Sequence, residues 1–536
     1  MNGLKRLQHP SHRLFGMMVF GLFIGLEALA APRLPGFFTA NMVLQRDRDV
    51  PVWGWADPGE NIVVSFAGQT ATATASESGT WQAKLAPMPA SGEARSLSVS
   101  SATDPSAPPV ELANVVVGDV WICSGQSNME FAMGSVMQAK EELAAANYPL
   151  IRHMKVERIT SDLPAADLRS NWIVCSPETA AGFTAVGYFF ASKLHQELNV
   201  PIGLIGCNWG GTKIEPWTPP EGFRSIPELA AISAKVDATL PATPEGKAAY
   251  QKALGEIRAW LPVAEAAVAK DATPTSLPLM PSVGSSHQDP TRIYNAMVHP
   301  LIPFAIRGAI WYQGESNGDE GISYHHKKMA LLNGWRALWK QGDFPFYYVQ
   351  LANYGQPNDN PAGSDGYSRV REAQLKSLDI PKTGMAVIID IGEAGDIHPR
   401  NKQDVGRRLA LWALAKEYGQ TNLVHSGPLF KGFTVEGNAV RISFNHIGSG
   451  LMVGKKTGLE PVQEMTDGKL ARFAIAGADK HWQWAEARIE GNTVVVSCAA
   501  VPEPVAVRYA FSHNPQGCNL YNREGLPASP FRTDDW

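Results

Sequence analysis

The residues best suited to chemistry fall in four short clusters, each placed just after an apolar, β-branched run. "GQSNM" follows "DVWICS" and contains Ser127; "CNWGGTKIEPW" follows "IGLIG" and contains Gly210 and Gly211. "WYQGESN" follows "IRGAI" and contains Gln313, Glu315 and Asn317, and "DIGEAGDIHPRNKQDVG" follows "MAVIID" and contains His398. A serine hydroxyl is a weak nucleophile until a base takes its proton, and histidine is the side chain suited to that near neutral pH. Of the 13 histidines, His398 alone lies in an acidic, glycine-flexed loop directly after a core strand. Acyl transfer also needs donors aimed at the developing oxyanion. The backbone amides of Gly210 and Gly211 and the carboxamide of Gln313 have that chemistry. Each residue alone has a plainer role: a histidine capping the next helix, glycines where strands meet helices. The four clusters together are the specific signal. "GQSNM" is not the α/β-hydrolase elbow, because Met129 stands where that turn requires glycine.

The elements that must position these clusters form three blocks. From 31 to 115, short β-rich runs such as "VPVWGWA", "NIVVSFAG" and "TATATAS" alternate with turns, which predicts a small β-sandwich. From 116 to 420, the runs "GDVWICS", "IGLIGCN", "AIRGAIWYQ", "FPFYYVQL" and "GMAVIIDIG" alternate with helical patterns, which predicts an α/β domain with a parallel sheet covered on both faces. Ligands bind outside the carboxyl ends of such strands, so the four clusters are expected to share one crevice. Val405, Leu409 and Trp412 make one apolar helix face, a core-packing stripe, and Gly419 is a suitable stop. An insertion at about 235–290 starts as a helix and ends in a Pro- and Ser-rich loop expected near the mouth of the site. From 421 to 536 the chain is β-rich, and "VEGNAVRISF" and "IEGNTVVVSC" each place Gly-Asn between apolar runs, as hairpins do.

Composition narrows the class of partner. The 536 residues are 44% hydrophobic and 18% charged with a formal charge of -4, which gives no broad basic footprint for nucleic acid and points to a small-molecule or glycan substrate. Lys5, Arg6 and Arg13 precede the apolar run "LFGMMVFGLFIGL" and the small-residue stretch Ala28–Ala30. That is the layout of a signal peptide, residues 1–30, cleaved after Ala30, and it predicts a secreted or periplasmic protein without a membrane anchor. The five cysteines are too few for a disulfide scaffold and form no closely spaced pair for metal or redox chemistry. Cys498 and Cys518 share the carboxyl-terminal segment and suit either a bridge in an oxidising compartment or two buried thiols, and Cys123, inside a strand, is an inert buried thiol rather than a nucleophile.

The four clusters in this order, with "FTAVGYFF", "IYNAMVHPL" and the terminal "YNREGLPASPFRTDDW", resemble the sialate O-acetylesterase family within the SGNH hydrolase superfamily over nearly all of the mature chain. The resemblance implies a flavodoxin-like hydrolase domain flanked by β-sandwich-like domains, an acyl-enzyme on Ser127, His398 as base, and no metal or cofactor. It implies an oxyanion hole from the Ser127 amide, the Gly211 amide (Gly210 second) and the Gln313 carboxamide. The broader superfamily uses an asparagine in its third block, so Asn317 is the alternative to Gln313. It also commonly has an aspartate three residues before the histidine, where this chain has Gly395. Asp396 is therefore the expected orienting acid, with Glu393 or a main-chain carbonyl as alternatives.

A sialic acid carboxylate calls for an arginine, for which Arg371 and Arg400 are candidates, although local pairing is the commoner role of such arginines. Trp209 could stack on a sugar, as could Trp217 and Trp311, for which core packing is the default; Gln126 and Glu315 are the remaining polar candidates for substrate contact. Acetylated xylan or another polysaccharide ester is the alternative substrate, and a secreted carbohydrate-binding protein the non-enzymatic alternative. Oligomeric state has no signature in the sequence.

Overall fold

The computed structural model describes residues 32–536, so the expected leader and its cleavage site lie outside the described residues. The organising element is a single long strand, β1 (Val110–Gly125), whose residues 115–125 are all buried. Its first half belongs to the amino-terminal β region. There it pairs in parallel with Val43–Gln45 and antiparallel with Ser91–Ser101. Its second half is a central strand of a parallel sheet. The boundary expected at 115/116 therefore falls inside one continuous strand.

The parallel sheet is built from β1, β2 (Ile151–Lys155), β3 (Ile202–Asn208), β4 (Gly308–Tyr312), β5 (Phe346–Gln350) and β6 (Thr383–Val387) in the order β6-β5-β4-β1-β3-β2. From β1 the chain goes out to β2, returns to β3 between the two, then crosses to the other side of β1 with β4. This makes the carboxyl end of β1 the switch point at which a crevice opens. Burial on both faces explains why these strands read as unbroken apolar runs. On one face Trp121 of β1 packs edge-on against Phe190 of α2 (Ala185–Leu198), at a centroid distance of 5.0 Å. On the other, Trp311 of β4 meets Trp335 of α3 (Ser323–Trp339). Trp217 and Trp311 are fully buried, as the default role for tryptophans beside strands requires.

The helix α4 (Tyr367–Lys376) follows β5, and α5 (Lys402–Lys416) follows the loop carrying His398. Val405, Leu409 and Trp412 of α5 are buried in the core, and Gly419 just beyond it has φ of +73°. Where α5 crosses α2 the backbones nearly touch. A Cβ at Gly406 would lie 2.6 Å from Phe189 Cβ and 2.7 Å from Phe190 N.

The insertion forms the helix Pro244–Val268 and then an extended segment. The carboxyl-terminal region contains separate antiparallel sheets with their own apolar core, including Val440, Ile442, Val494, Val496 and Val507. The two Gly-Asn segments are hairpin turns whose strands lie side by side in one four-stranded sheet. All five cysteines are free thiols, so no bridge joins Cys498 to Cys518. No helix among the described residues is long and apolar enough to cross a membrane.

The approach of α5 to α2 yields a direct test. Gly406→Ala forces a methyl group against backbone atoms and is expected to destabilise the fold by about 1–3 kcal/mol, the usual penalty of core overpacking. Chemical denaturation reads this, and an unchanged unfolding midpoint would contradict the packing described.

Candidate active site

The carboxyl end of β1 turns at Gly125, whose φ of +133° and contact with β4 exclude a side chain: a Cβ would lie 2.1 Å from the Tyr312 carbonyl oxygen. The Gln126 amide donates to that same carbonyl at 3.0 Å, and Ser127 opens the one-turn helix α1 (Ser127–Glu130). The strand thus ends by presenting Ser127 at the rim of the sheet.

His398 reaches this point from the loop after β6. Its Nε2 is 2.8 Å from Ser127 Oγ. On the ring's other side Asp396 Oδ1 lies 3.3 Å from Nδ1, and the same oxygen accepts the His398 backbone amide at 2.8 Å. One carboxylate oxygen therefore faces both the ring and its backbone. Glu393 is turned elsewhere, its Oε1 accepting the Arg400 amide at 2.8 Å. The His398 ring faces that of Phe131, with 6.4 Å between centroids and 26° between planes.

Asn128 locks the two halves together, a role that the sequence reading missed. Its Nδ2 donates to Ile397 O at 3.0 Å and to Glu315 Oε1 at 2.6 Å, and its Oδ1 accepts from Lys402 Nζ at 2.5 Å. The residue after Ser127 is thereby bound to the peptide that enters His398. Lys402 is fully buried, and burial pushes its ammonium down to about 7. Burial likewise raises the Glu315 carboxyl above the usual range, against the opposing hydrogen bond from Asn128 and the charge of Lys402. The one signal available in the sequence was an amide immediately after the serine.

The expected oxyanion donors differ in what their N–H groups already bind. The Gly210 amide is already committed, donating to Glu130 Oε2 at 2.8 Å. Neither the Ser127 nor the Gly211 amide has an acceptor among the described residues. Gly210 lies against the serine, with a built Cβ only 3.3 Å from Ser127 Cβ. The segment from the insertion steadies this turn: Gln288 Nε2 donates to Gly211 O at 2.6 Å and its Oε1 accepts the Lys213 amide at 2.9 Å. His287 stacks on Trp209 with 5.0 Å between centroids and 7° between planes. Trp209 is half-buried, so the stack leaves it partly open to solvent.

Gln313 does not fit the part expected of it. It is fully buried, its Nε2 donates to Asn317 Oδ1 at 2.7 Å and to Thr212 O at 3.1 Å, and its Oε1 accepts from Tyr324 Oη at 2.8 Å. Its amide protons are spent tying loops together. Asn317 is no substitute, being buried with its Nδ2 donating to Glu215 and Glu320. Gln126 is also largely buried, its Oε1 accepting the Ser316 amide at 3.3 Å.

Arg371, a candidate for a substrate carboxylate, is likewise committed elsewhere. It is fully buried, and its guanidinium donates to four main-chain carbonyls, those of Leu351, Ala352, Ser512 and His513. With four of its five N–H donors occupied and no exposed surface, it has no bidentate fork to offer a substrate carboxylate. Arg400 is exposed. Glu315 belongs to the Asn128 cluster, with Oε2 buried and unpartnered. Cys123 is fully buried and burial pushes its thiol up, as befits an inert side chain.

Residues 117–242 and 280–414 match the family described as carbohydrate esterase, sialic acid-specific acetylesterase. Mouse sialate O-acetylesterase is 29% identical over 93% of this chain and 94% of the relative. The human sialate O-acetylesterase is 28% identical over 93% of this chain and 92% of the relative. A crystal structure of a carbohydrate acetylesterase from Xanthomonas citri superposes with a TM-score of 0.76 at 38% identity, covering 94% of this chain and all of that one.

Asn128→Ala would strip the donor from Ile397 O and Glu315 and the acceptor from Lys402. It is expected to lower kcat on p-nitrophenyl acetate by roughly 10²-fold, the cost of a reacting group displaced by about 1 Å. A kcat within twofold of the parent's would show that the clasp does not align the pair.

Proposed function

The chain belongs to the sialic acid-specific acetylesterase family of carbohydrate esterases, and on that premise we propose that it cleaves O-acetyl groups from sugars through an acetyl-enzyme on Ser127. The observation that carries the mechanism is the 2.8 Å approach of His398 Nε2 to Ser127 Oγ. With Nδ1–H directed at Asp396, Nε2 is the basic nitrogen and accepts the serine proton. Oγ attacks the acetyl carbon, and the negative charge gathers on the former carbonyl oxygen. The Ser127 and Gly211 amides are the donors for that oxygen. Collapse breaks the bond to the sugar oxygen, which takes the proton from His398. Water, deprotonated by the same imidazole, then releases acetate and restores the serine.

Asp396 fixes the tautomer and orientation of the imidazole. Its side chain is 44% exposed, so water screens its charge and orientation is the larger part of its contribution. Asp396→Asn is expected to lower kcat by about 10²–10⁴-fold, the range of general acid–base catalysis, while Ser127→Ala should remove turnover by roughly 10⁴-fold or more. Both are read on p-nitrophenyl acetate; equal kcat for Asp396→Asn and the parent would take Asp396 out of the triad. Substantial turnover retained in Ser127→Ala would end the acyl-enzyme reading; only trace activity in the parent, unchanged along with ligand binding in Ser127→Ala, would favour a carbohydrate-binding protein.

For the substrate, O-acetylated sialic acid is the leading reading, supported by the relatives' activity. A neutral acetylated polysaccharide is the second, favoured by the burial of Arg371 against backbone carbonyls, which removes one of two candidate partners for a sialic acid carboxylate. Acetate release from O-acetylated sialic acids, set against acetylated xylan oligomers, decides between them. Faster release from sialic acids that falls when Arg400→Ala raises KM supports the first; preference for xylan oligomers supports the second. The basic residues and apolar run at the amino terminus support export. Exported protein is expected to begin at Ala31, and material beginning at Met1 would contradict cleavage.

A further inference from the structure

The loop bearing His398 has little regular structure of its own: between β6 and α5 it makes a single isolated bridge, Glu393 to Asp396. Something outside it must hold its shape. Two of its backbone groups are gripped by the segment leaving β5. Asn353 Oδ1 accepts the Gly392 amide at 2.9 Å, and the Gly355 amide donates to Ala394 O at 3.2 Å. The first contact is so close that a Cβ at Gly392 would sit 2.0 Å from the Asn353 carbonyl oxygen.

That gripping segment is held in turn by one side chain of the carboxyl-terminal region. Asn514 is fully buried; its Oδ1 accepts from Asn353 Nδ2 at 3.1 Å and its Nδ2 donates to Gly355 O at 2.6 Å. Both residues that touch the histidine loop are therefore fixed by the same carboxamide. Arg371 explains why Asn514 sits there. Its guanidinium joins the carbonyls of Ser512 and His513 to those of Leu351 and Ala352, riveting the two segments side by side just before Asn514 and Asn353. The loop's flanks are tied to the same region: Tyr521 Oη lies 3.4 Å from Asp390 Oδ2, and Asn401 Nδ2 donates to Gly458 O at 3.1 Å.

We propose that Asn514, seated by the Arg371 rivet, is a positioning residue that holds His398 in reach of Ser127 through Asn353 and Gly355, so that the carboxyl-terminal β region completes the active site. The proposal rests on His398 being the base. It gives that region, which lies outside the residues matching the family, a part in turnover without any contact with substrate.

The test uses the full chain carrying Asn514→Ala, Asn353→Ala, both together, and the isosteric Asn514→Asp, which keeps an acceptor for Asn353 but sets a carboxylate oxygen against Gly355 O. Each single variant is expected to lose roughly 10–10²-fold in kcat on p-nitrophenyl acetate with KM within twofold, as misalignment of a reacting group would produce. The double variant should lose less than the product of the single losses, because both act on one loop. Hydrogen exchange at the backbone amides of 391–398 should accelerate in Asn514→Asp, which preserves shape and serves should the alanine variants not fold. His398→Ala is run beside them. If it abolishes turnover while every Asn514 and Asn353 variant that folds keeps parental kcat and loop protection, the brace is wrong and the base stands. If His398→Ala itself retains turnover, the base assignment fails on its own account. A lowered melting temperature with unchanged kcat would mark Asn514 as packing alone and overturn the proposal.

Discussion

The hydrogen bond between Ser127 and His398 joins two side chains 271 residues apart, and neither of the turns that carry them is regular enough to hold it unaided. An imidazole one ångström too far takes no proton from a hydroxyl, so the fold has to fix this distance rather than merely permit it. It does so from both sides. Gly125 bends β1 against β4 so that the serine is held by a rigid central strand, and Asn128, the next residue, hydrogen-bonds the carbonyl that precedes the histidine. The serine's turn and the histidine's loop are thus one cross-linked unit.

This cross-link explains the buried charges around it. Asn128 has one acceptor and one donor group to offer, and Lys402 and Glu315 use them. An amide with both ends engaged cannot rotate, and a buried polar network of this kind is rigid only while every member stays in place. Lys402 opens α5, so the cluster also anchors the helix that packs on α2 through Gly406. The same economy of contacts recurs further out, where Asn514 grips the two positions of the β5 exit that touch the histidine loop.

The sequence showed the strands and the clusters at their ends, because β-branched runs stopped by glycine and polar residues have few other physical meanings. It also showed Ser127 and His398, since a lone serine after a strand and a lone histidine in an acidic loop are chemically conspicuous. What it did not show was how side-chain donors are spent. Gln313 and Arg371 have the right chemistry for an oxyanion and a carboxylate, yet both are buried with their donors given to main-chain and side-chain acceptors brought in from distant segments. Residue type reveals capacity, and only packing reveals commitment. The continuity of β1 across 115/116 was hidden for a related reason: an apolar strand pattern looks the same whether it serves one sheet or two.

All of these contacts matter to turnover only if His398 activates Ser127. Labelling the native protein with a serine-directed fluorophosphonate, followed by peptide mapping and a rate comparison with His398→Ala, measures this directly. Modification confined to Ser127, at a rate that collapses without the imidazole, is the expected result. Modification of another serine, or of Ser127 at an undiminished rate in the variant, would contradict it.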